Sequence, residues 1–363
     1  MVATLPDIDS AARLLEQGQL VAFPTETVYG LGADAENPAA IARIYAAKGR
    51  PSNHPVIVHL APDADLAYWV SAIPAQASAL IDRFWPGPLT LILPRAAHIP
   101  AAVAGGQASI GVRCPSHPVA QSLLRAFRQG RGGIAAPSAN KFGHVSPTTA
   151  QHVRDEFGVT ATTLAAKRAT MHATTAATAA TVVDTAIAAI LDGGQSEVGI
   201  ESSILDLSRL NTHGPVLLRP GRITAQQMAE VLGVMPATPV AHDPMTPRAS
   251  GTLDAHYAPR TPLAMVSSDA LEHWLQRLDQ AQRRVALLHW SDQPALPLTL
   301  SLQLLATSEG YAHALYAGLR LMDGAAADVI VVEQPPHTAG WQAIHDRLRR
   351  AACDSVGILE RLL

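Results

Sequence analysis

Polar and charged side chains collect where short apolar runs of this sequence end. Five of these ends carry threonine, arginine, serine or asparagine, and four of them have glycine or proline nearby. The residues at these ends include Thr27, Arg113, Ser138, Ser202 and Arg219. Ligands of α/β sheets bind where strands end. A capped strand end explains each of these residues singly, but five such ends together predict one shared binding site.

The segment from Lys48 to His54 combines cations with other hydrogen-bonding groups. Lys48 and Arg50 stand at the end of a predicted helix, where a cation complements the helix dipole, and this explanation suffices for Lys48 alone. The loop after Arg50 offers guanidinium, hydroxyl and amide groups together, which favours binding. His59 interrupts an apolar strand, and a lone histidine there is more often a core residue than a functional one.

Short β runs alternate with helical patterns over the first ~230 residues, which predicts an α/β layer fold. Asn37 as N-cap and Pro38 at the first helical position begin a helix that Gly49 ends. Further helices are predicted at about 10–17 and 74–85. Strands are predicted at 20–23, 56–60, 89–93, 109–114, 132–137, 188–193, 202–207 and 215–220.

The chain of 363 residues is long for one core, so two domains are expected. Six prolines between 234 and 262 predict a linker. After it, strands alternate with helices at about 269–284, 311–323 and 340–352, which predicts a small parallel sheet, Rossmann-like in outline. The domains are therefore predicted at 1–233 and 263–363, with the linker at 234–262. The second domain shows no clustered polar strand ends and is expected to lack an active site of its own.

Composition limits the function classes. The net charge is −3, with no basic excess of the kind that tight nucleic-acid binding shows, so any RNA contact is expected to be weak or local. The two cysteines, Cys114 and Cys353, form no CxxC pair, which favours a reduced, cytoplasmic setting. No secretory signal and no membrane-spanning apolar run is found. Residues 160–181 are alanine or threonine at 17 of 22 positions, which predicts a segment outside the core.

Three common enzyme motifs are excluded, one because its context is wrong and two because they are absent. Gly30 and Gly32 fit a dinucleotide-binding pattern, but the helix begins only at Pro38 and no acidic residue follows at the required distance. No phosphate-binding P-loop and no nucleophile elbow of a serine hydrolase occurs. NAD binding is therefore not expected.

Seven segments together resemble the YrdC-like family of threonylcarbamoyl-AMP synthases. They keep the family's order and approximate spacing from about 20 to 221, and read FPTETVYGLG, AKGRPSNHPVIVH, FWPGPLTLIL, SIGVRCPSHP, APSANKFGHVSPTT, ILDGGQSEVGIESSILDL and VLLRPG. The later run SGTLDAHYAP, followed by an α/β domain, resembles the long form of the family. Relative to the family, the alanine- and threonine-rich stretch looks like an insertion.

The resemblance implies a concave catalytic domain built on a twisted mixed sheet. Such a domain joins L-threonine, bicarbonate and ATP into threonylcarbamoyl-AMP and releases pyrophosphate, with Mg²⁺ expected on the phosphates. Other proteins, the threonylcarbamoyl-transferases, then pass the group to a tRNA adenosine. The linker at 234–262 is expected to act as a lid, because carbamates of amino acids lose carbon dioxide readily in water.

The resemblance also implies roles for particular residues. The pocket for L-threonine and its carbamate is formed by Thr27, His59, Arg113, Ala136 and Ser202. The ATP side is formed by Arg50, His54, Ser109, Ser138, Asn140, Ser146, Arg219 and Tyr257. Lys48 and Arg50 are the cations expected to assist catalysis by stabilising charge on the phosphoryl oxygens. No resident metal site and no general base is indicated.

Two other functions stay open. Carbamoyltransferases of hydrogenase maturation contain a related domain, but they resemble multidomain chains with zinc-binding CxxC pairs, which this sequence lacks. A module that binds double-stranded RNA or ribosomes would need a local basic face. Neither alternative predicts threonine-dependent release of pyrophosphate.

Overall fold

The computed structural model describes residues 7–159, 186–239, 246–292 and 296–363 of the chain. These residues form two β-sheets covered by helices, so the predicted α/β fold is confirmed. The alanine- and threonine-rich segment at 160–181 lies outside the described residues. Within the described ranges, no helix is both long and apolar enough to cross a membrane.

The first domain is built on a large sheet. Its strands are β1 (Leu20–Phe23), β2 (Gly30–Asp34), β3 (Ile57–Leu60), β4 (Leu89–Pro94), β5 (Ser109–Arg113), β6 (Gly133–Ala135), β7 (Ile187–Ile190), β8 (Ser203–Asp206) and β9 (Val216–Arg219). Its helices are α1 (Ile8–Glu16), α2 (Pro38–Lys48), α3 (Leu66–Trp69), α4 (Ala75–Phe84), α5 (Pro118–Ala126), α6 (Ala150–Phe157), α7 (Leu210–His213) and α8 (Ala225–Leu232).

The nine strands of this sheet lie in the order β7-β1-β2-β6-β3-β5-β4-β8-β9. Three neighbouring pairs are parallel, namely β1 with β7, β3 with β5 and β4 with β8, and the others are antiparallel. The sheet is therefore mixed, as the resemblance implies. Every residue of β1 and β2 is buried; β1 is an apolar run, whereas β2 contains two glycines and ends in Asp34.

Local sequence signals set the ends of α2, which leads to the cations of the site. The side chain of Asn37 accepts the backbone N–H groups of Ala39 and Ala40, and Pro38 occupies the first turn. Gly49 adopts a left-handed conformation with φ of 62° and ends the helix. The predicted start and end of this helix are confirmed.

The second domain carries a four-stranded sheet. Its strands are β10 (Leu263–Val266), β11 (Val285–His289), β12 (Leu300–Gln303) and β13 (Val329–Glu333), and its helices are α9 (Ser268–Gln280), α10 (Ser308–Asp323), α11 (Gln342–Ala351) and α12 (Ile358–Leu362). All neighbours in the order β10-β13-β11-β12 are parallel, so the predicted parallel sheet is confirmed. The edge strand β12 was not predicted, although its sequence LSLQ alternates apolar and polar residues as an edge strand does.

The two domains share part of one hydrophobic core. Val28, Val145 and Ile200 of the first domain pack in the same buried cluster as Tyr257 and the apolar residues of α10. Met228 of α8 packs instead in the main core of the first domain. Residues 240–245 of the linker predicted at 234–262 lie outside the described residues, whereas Tyr257 of the same linker packs in the cluster that the two domains share.

Candidate active site

A cleft opens between strand ends of the large sheet and the linker. Nine of the residues predicted for the site line it, which brings the separate strand ends of the sequence together. The lining consists of Thr25, Thr27, Val28, Gly30, Arg50, Ile57, His59, Arg113, Ala136, Pro137, Ser138, Glu201, Ser202, Arg219, Ser250, Gly251, His256 and Tyr257.

Arg113 forms an ion pair at the floor of the cleft. Its Nη2 lies 2.7 Å from Oε1 of Glu26, and both side chains are buried. Its Nε donates to the carbonyl of Gly87 at 3.2 Å, and Oε2 of Glu26 accepts the backbone N–H of Ser116 at 3.1 Å. Nη1 has no hydrogen-bond partner among the described residues. The arginine is thus held firmly and keeps a donor for an anion.

His59 lies beside Arg113 on the neighbouring strand, since the two residues are in register between β3 and β5. Burial, and then the charge of Arg113, lower the pKa of His59 to about 3. The imidazole is therefore neutral at physiological pH. Its ring packs edge-on against Phe23, with ring centroids 6.0 Å apart.

Hydroxyl groups around the floor are fixed by neighbouring side chains. Oγ1 of Thr27 lies 2.8 Å from Oγ1 of Thr25, which donates to the carbonyl of Val28 at 2.6 Å. Oγ of Ser202 lies 2.8 Å from Oγ1 of Thr90. Ala136 presents only a methyl group to the cleft. This side of the cleft is small and polar, which suits a small hydrophilic ligand.

Two further arginines, Arg50 and Arg219, line the cleft and contact the linker. Arg50 donates through Nη2 to the carbonyl of Pro55 at 2.8 Å and to Oγ of Ser250 at 3.2 Å. Arg219 donates through Nη1 to the carbonyl of Ser250 at 2.8 Å, and through Nε and Nη2 to the carbonyl of Ser202. Burial lowers the pKa of Arg50 to about 10, so this guanidinium stays charged at neutral pH.

The linker forms one wall of the cleft. Tyr257 is buried with φ of 62°, a left-handed conformation that a tyrosine rarely adopts. Gly251 has φ of 73°, and a Cβ atom there would lie 1.9 Å from Oη of Tyr257. His256 is also buried, and burial lowers its pKa to about 3. The wall therefore depends on a glycine where the backbone passes the tyrosine.

Three buried polar atoms of the cleft have no hydrogen-bond partner among the described residues. They are Nε of Arg50, Nδ1 of His59 and Nδ1 of His256. Buried polar atoms are usually paired, and an exception needs an explanation. A polar ligand that fills the cleft would provide the missing partners.

Two predicted residues lie beneath the cleft rather than in its lining. Nζ of Lys48 donates to the backbone carbonyls of Ser138 and Asn140, and the amine is fully buried. Burial lowers the pKa of Lys48 well below its usual value. Nδ2 of Asn140 donates to the carbonyls of Lys141 and His144. In this structure Lys48 therefore positions the loop of Ser138, and its amine does not point at the cleft.

Three more predicted residues stand beside the cleft. His54 packs its ring against Phe142 at a centroid distance of 5.6 Å. Ser109 lines a separate narrow pocket of about 270 Å³ that the linker also covers. Ser146 is buried and donates to Oε1 of Glu201 at 2.5 Å. These residues surround the cleft at its margin but do not line it.

Several lining residues were not assigned to the site from the sequence. Glu201 directly precedes the strand predicted at 202–207. Its carboxylate accepts hydrogen bonds from the hydroxyl of Tyr316 and from Nε of Arg347, each at 2.8 Å. Burial opposes ionisation, but the charges of Arg347 and Arg219 lower the pKa of Glu201 to about 2. Ser250 and His256 belong to the run SGTLDAHYAP, from which only Tyr257 is predicted as a site residue.

Comparisons with known proteins cover both domains of the chain. A family model for Sua5, YciO and YrdC proteins, described as telomere recombination, matches residues 13–172. A second model, described as the C-terminal domain of threonylcarbamoyl-AMP synthase, matches residues 223–353.

Curated relatives and a solved structure match almost the whole chain. The threonylcarbamoyl-AMP synthase of Bacillus subtilis is 38% identical over 357 residues, which is 96% of this chain and 93% of the relative. That of Pyrococcus abyssi is 34% identical over 350 residues, 94% of this chain and 93% of the relative. The crystal structure of P. abyssi Sua5 complexed with L-threonine matches with a TM-score of 0.80 and 32% identity, covering 95% of this chain and 94% of that one.

Proposed function

Because the chain belongs to the threonylcarbamoyl-AMP synthase family, we propose that it joins L-threonine, bicarbonate and ATP into threonylcarbamoyl-AMP, pyrophosphate and water. It is an adenylating enzyme, and the cleft is its active site. One observation carries the assignment of the cleft. Three buried arginines surround it, and one of them is paired with a carboxylate on the side where the lining is small and polar.

L-threonine binds on the side of Arg113. Nη1, which has no hydrogen-bond partner among the described residues, can donate to an anion, and a guanidinium suits a carboxylate better than any other side chain does. The hydroxyls of Thr27 and Ser202 stand nearby for the polar atoms of the amino acid and its carbamate. The relative of known structure was crystallised with L-threonine, which supports this choice of ligand.

ATP binds on the side of Arg50 and Arg219. The amino group of threonine first combines with bicarbonate to give a carbamate and water. An oxygen of that carbamate then attacks the α-phosphorus of ATP, and the bond from this phosphorus to the bridging oxygen of pyrophosphate breaks. Charge grows on the phosphoryl oxygens in this step, so two fixed guanidinium groups lower its barrier. Lys48 contributes by holding the carbonyl groups of the Ser138 loop.

Magnesium is proposed to arrive with ATP. Mg²⁺ in nucleotide sites is usually held by one or two carboxylates together with substrate phosphates. Glu201, which lines the cleft, and Glu26, which contacts Arg113 beside it, are both ion-paired with arginines. In the part of the chain that the structure describes, no group of three histidine, cysteine or acidic residues is placed to hold a metal ion. Phosphate oxygens of the nucleotide would then be the main ligands.

The product requires a consumer of acyl adenylates. We include in the proposal a cytoplasmic location and downstream threonylcarbamoyl-transferase proteins that move the group to tRNA. Direct contact with tRNA is proposed to be weak, because the chain carries 27 basic and 30 acidic residues.

The decisive experiment measures pyrophosphate release from ATP by the full chain. The expected result is release that depends on both threonine and bicarbonate, with threonylcarbamoyl-AMP identified by mass spectrometry. A carbamoyltransferase would release pyrophosphate with carbamoyl phosphate instead of threonine, and an RNA-binding module would release none. Either of those results would overturn the proposal.

A further inference from the structure

A buried cluster joins the second domain to the active site. It contains the carboxylate of Glu201 from the first domain, the ring of Tyr257 from the linker, and Tyr316 and Arg347 from the second domain. Tyr316 belongs to α10 and Arg347 to α11. The cluster therefore connects all three parts of the chain at one point behind the cleft.

We propose that Tyr316 and Arg347 are positioning residues for the reaction, which hold Glu201 and Tyr257 in the geometry that nucleotide binding requires. The inference rests on the proposed function, since it assigns part of the same site to the second domain. Neither residue lines the cleft. Both act through residues that do.

The contacts of Arg347 leave it little freedom. Its side chain is fully buried, with 0% exposed. Nε donates to Oε2 of Glu201 at 2.8 Å, and Nη1 donates to Oδ2 of Asp346 at 2.8 Å. The guanidinium carbon lies 5.2 Å from the ring centroid of Tyr257, within the range of a cation–π contact. One arginine thus fixes a carboxylate of the cleft and an aromatic ring of its wall.

Tyr316 contacts the same two partners from a different helix. Its hydroxyl donates to Oε2 of Glu201 at 2.8 Å. Its ring stacks on that of Tyr257, with centroids 5.6 Å apart and 30° between the planes. The other carboxylate oxygen of Glu201 accepts the hydroxyl of Ser146. The carboxylate is therefore oriented by groups from two domains.

Helix α10 also clamps the loop that leads to Glu201. Gly199 has φ of 78°, and a Cβ atom there would lie 2.3 Å from the carbonyl of Ala312. Nδ1 of His313 lies 2.9 Å from the carbonyl of Glu197, and Gln195 donates to the carbonyl of His313 at 3.1 Å. The loop then continues into Glu201 and Ser202, which line the cleft. Because Gly199 contacts α10 and stands two residues before Glu201, a shift of α10 would displace the lining of the cleft.

A buried ion pair by itself is weak evidence of stabilisation, because desolvation offsets much of the attraction between the charges. Apolar residues of similar size would hold two domains together equally well. An ion pair with fixed hydrogen bonds also sets the orientation of the two side chains. Because Glu201 of this pair lines the cleft, we infer that this orientation serves the site.

The test compares two tyrosines of the same helix. Tyr316→Phe removes only the hydroxyl that binds Glu201. Tyr311→Phe is the matched control, because Tyr311 is equally buried on α10 and its hydroxyl has no partner among the described residues. We expect Tyr316→Phe to weaken the binding of a non-hydrolysable ATP analogue, measured by calorimetry, about tenfold, the lower end of the range for losing one hydrogen bond to a charged group. Tyr311→Phe should bind the analogue as the parent chain does.

A second pair of variants guards against unfolding. Arg347→Met alone leaves Glu201 buried without its cation, so it is combined with Glu201→Gln. The double variant should melt near the parent temperature and still bind the analogue at least tenfold more weakly, which is about 1.4 kcal/mol. Arg349→Met, at an exposed arginine of the same helix, should change neither value.

The outcomes separate the two proposals. Unchanged analogue binding in both Tyr316→Phe and the double variant would overturn the positioning role, as would a loss of binding that only follows a loss of folded protein. Analogue binding does not require the chemical step. A parent chain that binds the analogue but releases no pyrophosphate with threonine would therefore contradict the proposed function and leave the positioning role to be decided by the same binding data.

Discussion

The active-site cleft and the carboxyl edge of the second sheet are both built from polar strand ends, but the carboxylate and the imidazole at the second edge are hydrogen-bonded within the protein, whereas three polar atoms of the cleft are not. At the second edge, the buried carboxylate of Glu333 accepts the backbone N–H groups of Trp290 and Ser291 and the hydroxyl of Ser268. His289 lies next to them with partners on both ring nitrogens. In the cleft, by contrast, Nε of Arg50, Nδ1 of His59 and Nδ1 of His256 have no partner among the described residues.

The difference shows that polar strand ends alone do not identify a binding site. The carboxyl end of a parallel sheet is where ligands usually bind in such folds. In the second domain, the carboxylate of Glu333 accepts the hydrogen bonds of the backbone N–H groups that a bound anion would otherwise accept. The expectation that this domain has no clustered polar strand ends is therefore wrong as a statement about structure. The cluster exists, but its hydrogen bonds are satisfied from within.

The largest expected effect comes from the cation of the threonine side. Arg113→Lys keeps a charge opposite Glu26 but loses the paired donors of the guanidinium, so kcat/KM for threonine should fall about a hundredfold or more. Arg113→Ala would leave Glu26 buried without its cation, at a cost of about 3–5 kcal/mol, so lysine is the informative replacement. Arg125→Lys, at an exposed arginine on α5, is the control. Normal threonine affinity in folded Arg113→Lys would remove Arg113 from the site.

The linker wall gives the next largest effect. Gly251→Ala places a methyl group 1.9 Å from Oη of Tyr257, which forces the tyrosine to move. We expect kcat/KM for ATP to fall about tenfold, in line with misplaced catalytic groups. Gly233→Ala is the matched control, since Gly233 has a similar φ of 70° but no atom within 4 Å of the added methyl. Equal losses in both variants would mean that backbone strain, not the wall, is responsible.

The lid hypothesis for the linker can be tested on the same segment. If the linker opens to admit substrates, limited proteolysis between 246 and 260 should slow when ATP and threonine are both added. The contacts of Ser250 with Arg50 and Arg219 are the ones that opening must break. If neither ligand changes the rate of cleavage, the segment does not act as a lid and is only a fixed wall of the cleft.

Much of the first domain could be predicted because its signals are local. The caps of α2 and the apolar runs of the strands depend on neighbouring residues, and nine of the predicted site residues do line the cleft. The position of Lys48 could not be predicted, because its carbonyl partners are about ninety residues away in the chain. The same holds for Arg347, which lies in an amphipathic helix and resembles any surface arginine until Glu201 is placed beside it.

A smaller effect is expected on the stability of the fold at low pH, because three buried or partly buried histidines must stay neutral in the folded chain. Burial lowers the pKa of His59 and of His256 to about 3, and that of His152 to about 4. Since the unfolded chain binds these protons near pH 6.5, stability is complete above that value and falls as the pH drops toward 4. Each histidine contributes at most about 1.4 kcal/mol per pH unit in this window. His256→Asn should flatten the fall in a series of denaturant melts, and the exposed His273→Asn should not.

The smallest effect on catalysis is expected at the satisfied edge of the second sheet. Glu333→Gln replaces a carboxylate that accepts three hydrogen bonds, at 2.7 to 3.0 Å, with an amide that can offer only one oxygen. The free energy of unfolding should fall by about 1–3 kcal/mol, because buried N–H groups lose their acceptor. The kcat and the KM for ATP should stay within about twofold of the parent values, because Glu333 does not line the cleft. The exposed Glu360→Gln should change neither stability nor kinetics. A raised KM for ATP in folded Glu333→Gln would show that this edge communicates with the cleft, and the contrast between an unsatisfied site and a satisfied edge would then no longer describe two independent regions.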